Sequence, residues 1–113
     1  MIIRLWTARV YQSRMAEYEE NERNRSAPMF RQQPGCLGAL FLRSGGTCFA
    51  LTLWKDLDSV KRLETSKSYL EASAFYSKSG MLLGDPSLDV FEVKGGFLDS
   101  EAIDEARPLQ PEL

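Results

Sequence analysis

Blocks of apolar and polar residues along the chain predict four strands and two helical stretches. Residues 2–10 (Ile-Ile-Arg-Leu-Trp-Thr-Ala-Arg-Val) are rich in β-formers and free of breakers, and predict a strand. Met15, Ala16, Glu17, Tyr18, Glu19 and Glu20 favour a helix over 14–27, with Glu19 and Arg23 as an i,i+4 pair. Positions 19–26 hold no apolar residue, so this helix is expected to be anchored at its ends, and Pro28 to end or kink it. Pro34-Gly35 marks a turn. Two β-rich runs, 36–43 and 47–54, then flank Arg43-Ser44-Gly45-Gly46, a hairpin signal because a tight turn needs positive φ angles that glycine adopts freely. Asp56 or Asp58 can cap a helix carrying Leu57, Val60 and Leu63. Ser68-x-x-Glu71 has the spacing of a capping box ahead of Ala72, Phe75 and Tyr76. Residues 88–93 predict a last strand. The order β-α-β-β-α-β is that of an α+β, ferredoxin-like unit: a four-stranded antiparallel sheet with helices on one face.

With Gly45 and Gly46 at the tip of the turn, Ser44 faces Thr47, Leu42 faces Phe49, Leu40 faces Leu51 and Gly38 faces Leu53. This set shares one face and is expected to pack under the helices. The other face holds Leu37, Ala39, Phe41 and Arg43 beside Cys48, Ala50, Thr52 and Trp54. A sheet with one wet face alternates apolar and polar residues, whereas here both faces are mostly apolar. Helices cover one of them, so the second calls for a partner, and another copy of the chain is the simplest, giving a homodimer. Small Ala39, Ala50 and Thr52 beside bulky Phe41 and Trp54 leave room between the sheets for a small aromatic ligand; a plain dimer interface is the alternative. An unpaired charge under helices costs several kcal/mol, which places Arg4 and Trp6 on the face of Phe41 and Trp54. Arginine among aromatics suits an anionic or enol-like oxygen; a salt bridge to Glu92 across a subunit contact is its other reading. The candidate pocket is therefore Arg4, Trp6, Phe41, Thr52, Trp54 and Phe75. Tyr69 and Tyr76 are either proton donors and acceptors or packing residues, and no residue stands out as a catalytic base.

Composition narrows the chemistry. At 113 residues and 43% hydrophobic, the chain has the size of one domain. No apolar run approaches the roughly 20 residues of a membrane span, and the first residues lack the parts of a secretory signal. A net charge of −2 without a basic run argues against nucleic acid as a partner. The absence of histidine removes imidazole acid–base chemistry, most zinc sites and common haem ligation. Glu17, Glu19, Glu20 and Glu22 read as a solvated helix face rather than a metal set, and nothing calls for a cofactor. Cys36 and Cys48, roughly 20 Å apart at strand rise, read as small apolar strand residues in a reducing cytoplasm. Residues 1–94 carry 11 acids and 13 bases, whereas 95–113 carry five acids and one base. That divides the chain into a domain, 1–94, and an acidic tail, 95–113, which either frays or docks on a neighbour through Phe97, Leu98 and Ile103.

Ile3-Arg4-Leu5-Trp6, Gln33-Pro34-Gly35-Cys36 and Ala50-Leu51-Thr52-Leu53-Trp54-Lys55-Asp56, followed by a broken helix over 57–75, together carry a family likeness. Over about residues 1–95 the sequence resembles the antibiotic biosynthesis monooxygenase-like family of small dimeric α+β barrel proteins. The resemblance implies two ferredoxin-like units with facing sheets, and a pocket between each sheet and its helices or the partner's elements. It also implies the chemistry of its members, of which some oxidise polycyclic phenols or quinols without metal or flavin and others break down haem. Haem-degrading members look for Asn in the first strand and Trp and His on the helix after the third. The matching positions here hold Trp6 or Thr7, Leu63 and Ser73, which disfavours haem. Quinol-type members commonly carry His where this chain has Leu63 and Ser68. The expectation is a cofactor-independent monooxygenase-like protein acting on a small aromatic or quinol-type metabolite, with a non-catalytic homodimeric binding or stress-associated protein of the same fold as the alternative.

Overall fold

The computed structural model describes residues 1–99; residues 100–113, and with them most of the acidic tail, lie outside the described residues. Strand β1 (Ile2–Arg9) lies inside an antiparallel sheet between β3 (Thr47–Trp54) and β4 (Ser87–Glu92), and β2 (Cys36–Ser44) pairs with the far side of β3, giving the order β2-β3-β1-β4. The hairpin forms in the expected register, Ser44 opposite Thr47, Leu42 opposite Phe49 and Leu40 opposite Leu51, with Gly45 at φ 59° in its tip. A bulge between Cys36 and Gly38 takes Leu37 out of the alternation and leaves it exposed.

The first helical stretch runs as α1 (Met15–Asn21), a π-helical turn (Glu22–Ser26) and α2 (Ala27–Arg31). Pro28 does not end it. Proline removes one helical hydrogen bond and crowds the preceding turn, and the widened turn lies directly ahead of it, letting the chain stay helical to Arg31. Helix α3 (Leu57–Thr65) is capped by Asp56, whose Oδ1 accepts from the Ser59 amide at 2.9 Å and the Ser59 hydroxyl at 2.7 Å. Helix α4 (Lys67–Lys78) starts at Ser66, not Ser68: Ser66 has the extended backbone of a cap and accepts from the Tyr69 amide. The Ser68 hydroxyl is used otherwise, accepting a 2.9 Å bond from Gln33 Nε2 that ties α4 to the turn before β2.

Which face the helices cover is the main departure from expectation. Arg4 and Ala8 on β1, and Cys48, Ala50, Thr52 and Trp54 on β3, are buried beneath the helices. Leu40, Phe49, Leu51 and Leu53 point to the opposite, open side with Ile3, Leu5, Leu42 and Phe91; of these, Leu42 and Phe91 are exposed and the rest half-buried. The grouping of residues by face holds, but the faces are exchanged. The reason is Arg4, which does not lie unpaired under the helices: they supply its partners. Two core clusters fill the covered side. One gathers Val10, Met15, Tyr18, Cys48, Tyr76 and Met81; the other gathers Met29, Phe30, Trp54, Val60, Leu63 and Ala72. Among the described residues no helix is long and apolar enough to cross a membrane, and both cysteines are free.

Gly35 carries the turn into β2 at φ 82°, and a Cβ there would overlap the fully buried Ser59 hydroxyl and lie 2.6 Å from Ser59 Cβ. Gly35→Ala therefore combines a left-handed backbone with overpacking against the α3 cap, and should cost about 3 kcal/mol in urea unfolding. A loss below about 0.5 kcal/mol, the range of an ordinary surface change, would show that the turn is not held in this way.

Candidate functional site

Between the two core clusters a cavity of about 80 Å³ remains open. A water occupies about 10–15 Å³ on such a measure, so the space suits a ligand of about one aromatic ring. Its sheet wall is Arg4 and Trp6 from β1, Ala50 from β3 and Phe41 from β2; the opposite wall comes from the first helical stretch and α4. Arg4 is 3% exposed. Its Nη2 donates to the Tyr69 hydroxyl at 2.7 Å, and Nε and Nη2 both reach Glu64 Oε2 at 3.4 Å. The guanidinium carbon stands 5.0 Å from the centre of the Tyr69 ring. These partners come from α3 and α4, so the second helical stretch sets the position of the charge.

The first helical stretch contributes a second polar group. Glu22 and Ser26, one turn apart on the π-helical segment, are both buried and both line the cavity. The Ser26 hydroxyl is 2.7 Å from the Tyr76 hydroxyl. Glu22 Oε2 is buried with no hydrogen-bond partner among the described residues. Burial, reinforced by Glu19 and opposed by Arg23 and Arg43, pushes the Glu22 carboxyl up to about 7. Burial also raises Tyr18, Tyr76 and Cys48, each of which feels the Glu22 charge as well.

Of the six candidate pocket residues, Arg4, Trp6 and Phe41 line this cavity. Thr52, Trp54 and Phe75 do not. Trp54 is fully buried in the second core cluster, edge-on to Phe30, and its indole donates to Thr52 Oγ1 at 2.7 Å; Thr52 in turn donates to the Arg4 carbonyl at 3.3 Å. Both are supports of the wall. Phe75 packs on Tyr76 and lies under Arg25, 3.7 Å from its guanidinium carbon. The cavity lies between the sheet and the chain's own helices, not between two sheets. The proposed Arg4–Glu92 pair is replaced by Arg4–Glu64, and Glu92 pairs with Lys94 at 2.6 Å. Among the described residues no three His, Cys, Asp or Glu side chains come together as metal ligands.

No family model matches the chain, and no curated protein does. Solved structures do. SnoaB from Streptomyces nogalater, described as a cofactor-independent oxygenase, is 19% identical, with 87% of this chain and 97% of SnoaB covered at a TM-score of 0.71. A Caulobacter crescentus protein described as a candidate antibiotic biosynthesis monooxygenase is 23% identical over 83% of this chain and 90% of its own, at 0.71. A variant of MhuD with two manganese protoporphyrin IX molecules bound per active site is 22% identical over 88% of this chain and all of its own, at 0.73. The chain has the antibiotic biosynthesis monooxygenase fold. At these identities the likeness speaks for the fold alone.

Within this monooxygenase fold, Glu22 is the residue that reading the sequence misplaced. It sits in a run of carboxylates that otherwise faces water, and of these Glu22 alone is buried. The signal lay in spacing: Met15, Tyr18, Glu22, Ser26 and Met29 form one helical stripe, in which two polar residues occupy inward positions.

The raised carboxyl has a consequence for stability. Between pH 4.5 and about 7 the folded chain keeps a proton on Glu22 that the unfolded chain releases, so this group's contribution falls as pH rises through that window. Glu22→Gln removes the effect. In urea unfolding, the variant should gain on the wild type by on the order of 3 kcal/mol between pH 4 and pH 8; a gap that stays constant contradicts the assignment.

Proposed function

We propose that the chain is a cofactor-independent monooxygenase-like enzyme that binds a small aromatic or quinol-type metabolite between its sheet and its own helices, and that it works as a homodimer. The observation that carries this reading is a buried, hydrogen-bonded guanidinium opening onto an apolar cavity the size of one ring. Oxygenation without a cofactor needs an electron-rich substrate held as its anion, beside dioxygen and away from bulk water. Arg4 stabilises the anion in a poorly solvated place, where a fixed charge acts most strongly. Trp6 and Phe41 stack the ring and exclude water. SnoaB's description as a cofactor-independent oxygenase supports the chemistry. The porphyrin bound by MhuD does not transfer well: the cavity is far smaller than a porphyrin, and the chain has no histidine to hold an iron.

One observation favours a second reading. Arg4 is already satisfied by Tyr69 and Glu64, as expected of a non-catalytic binding or stress-associated protein that needs no substrate to complete its site. The homodimer is supported by the open sheet face, on which Ile3, Leu5, Leu40, Phe49, Leu51 and Leu53 lie side by side as a contiguous apolar surface that no helix covers. Free cysteines fit a reducing compartment such as the cytoplasm.

Metal-free protein should consume oxygen when supplied with a hydroquinone, and Arg4→Ala should lower the rate about a hundredfold, the usual effect of deleting one oxyanion-stabilising donor. Trp6→Phe should lower it less. Tight hydroquinone capture without oxygen uptake would establish the second reading. For the assembly, Leu51→Glu on the open face should convert a dimer into a monomer by light scattering. A wild-type chain that is already monomeric at micromolar concentration contradicts the homodimer.

A further inference from the structure

The oxygenation proposed above requires a group that accepts the proton of the substrate hydroxyl, and Arg4, Trp6 and Phe41 cannot do so. The helical wall of the same cavity holds one group that can. Glu22 is 9% exposed, it lines the cavity, and its Oε2 has no donor among the described residues. A buried carboxylate oxygen without a partner destabilises a fold and calls for an explanation in use. Two other polar groups on this wall are committed to each other: the Ser26 and Tyr76 hydroxyls are hydrogen-bonded. The turn carrying Glu22 is π-helical, a local widening that recurs at functional sites.

The charges around it leave the carboxyl able to take a proton near neutral pH. Glu19 and Arg23 share its helical stretch, Arg43 approaches from β2, Tyr18 and Tyr76 flank it, and Cys48 faces it from β3. Arg43 is itself paired with Glu19 at 2.9 Å, so its charge is largely spent at the surface. Burial outweighs these charges and holds the group near 7, where a general base serves best.

We propose that Glu22 is the proton acceptor of this cavity, taking the hydroxyl proton of a single-ring phenol or hydroquinone while Arg4, on the opposite wall, holds the resulting negative charge. The assignment rests on the aromatic-pocket reading above. In the step, the ligand O–H bond breaks, its electron pair stays on the ligand oxygen, and an O–H bond forms on the Glu22 carboxylate. No oxidant is consumed. The anion so formed is the electron-rich species that meets dioxygen afterwards.

4-Hydroxybenzamide is a suitable probe, because it is mostly neutral in water at pH 8, its phenolate absorbs at longer wavelength than its phenol, and its para carbonyl can carry charge towards Arg4. At pH 8 free Glu22 is mostly ionised. Binding should produce phenolate absorbance together with one new protonated-carboxyl band per bound probe in infrared difference spectra. Glu22→Gln should lose that band, and Glu22→Asp should keep it at a shifted frequency. Phenolate without the band, a bound neutral phenol, or a band that survives in Glu22→Gln overturns the role of Glu22 while leaving the pocket intact. Failure of the probe to bind any of the three proteins overturns the pocket reading and this assignment with it.

Discussion

A positive charge beneath the helices is the constraint around which the fold is arranged. Arg4 belongs to an inner strand, and a guanidinium there is tolerable only if donors and charge are met on the spot. Glu64 near the end of α3 and Tyr69 in the first turn of α4 meet them. The two residues straddle the break at Ser66: a single straight helix of 3.6 residues per turn would point these side chains, five residues apart, about 140° away from each other, whereas the capped break lets both converge on one group. Thr52 bonds to the Arg4 carbonyl and receives the Trp54 indole, so the strand beneath the guanidinium is fixed as well.

The cavity follows from the same arrangement. A polar centre midway along the covered face divides the core into two apolar clusters, and the seam between them is not filled. Opposite Arg4, the inward stripe of the first helical stretch carries Glu22 and Ser26 where apolar residues would close the gap. The site is thus a failure of core packing at one place, lined by aromatic rings and bounded by one cation and one titratable acid. That combination suits ionisation of a small aromatic hydroxyl better than it suits a large planar cofactor.

Much of the architecture was readable in the residues. The order of strands and helices along the chain, the hairpin register about Gly45-Gly46, and the sharing of one face by Arg4, Trp6, Phe41 and Trp54 were legible from residue preferences, period-two alternation and turn chemistry. Alternation says which residues share a face; it does not say on which face the helices land. With both faces apolar, the choice fell to Arg4, and its decisive partner Glu64 lies 60 residues away on another element. Local spacing cannot supply such a contact. Glu22 was hidden for a different reason, since its neighbours in sequence are solvated glutamates and only the helical stripe through Tyr18 and Ser26 marks it as inward.

The central claim is that the ligand site lies between the sheet and the chain's own helices. A crystal structure of the protein soaked with 4-hydroxybenzamide tests it most directly. The account predicts the ring against Trp6 and Phe41, with its polar ends towards Arg4 and Glu22. Density for the ring against Phe49 and Leu51 on the open face would contradict it.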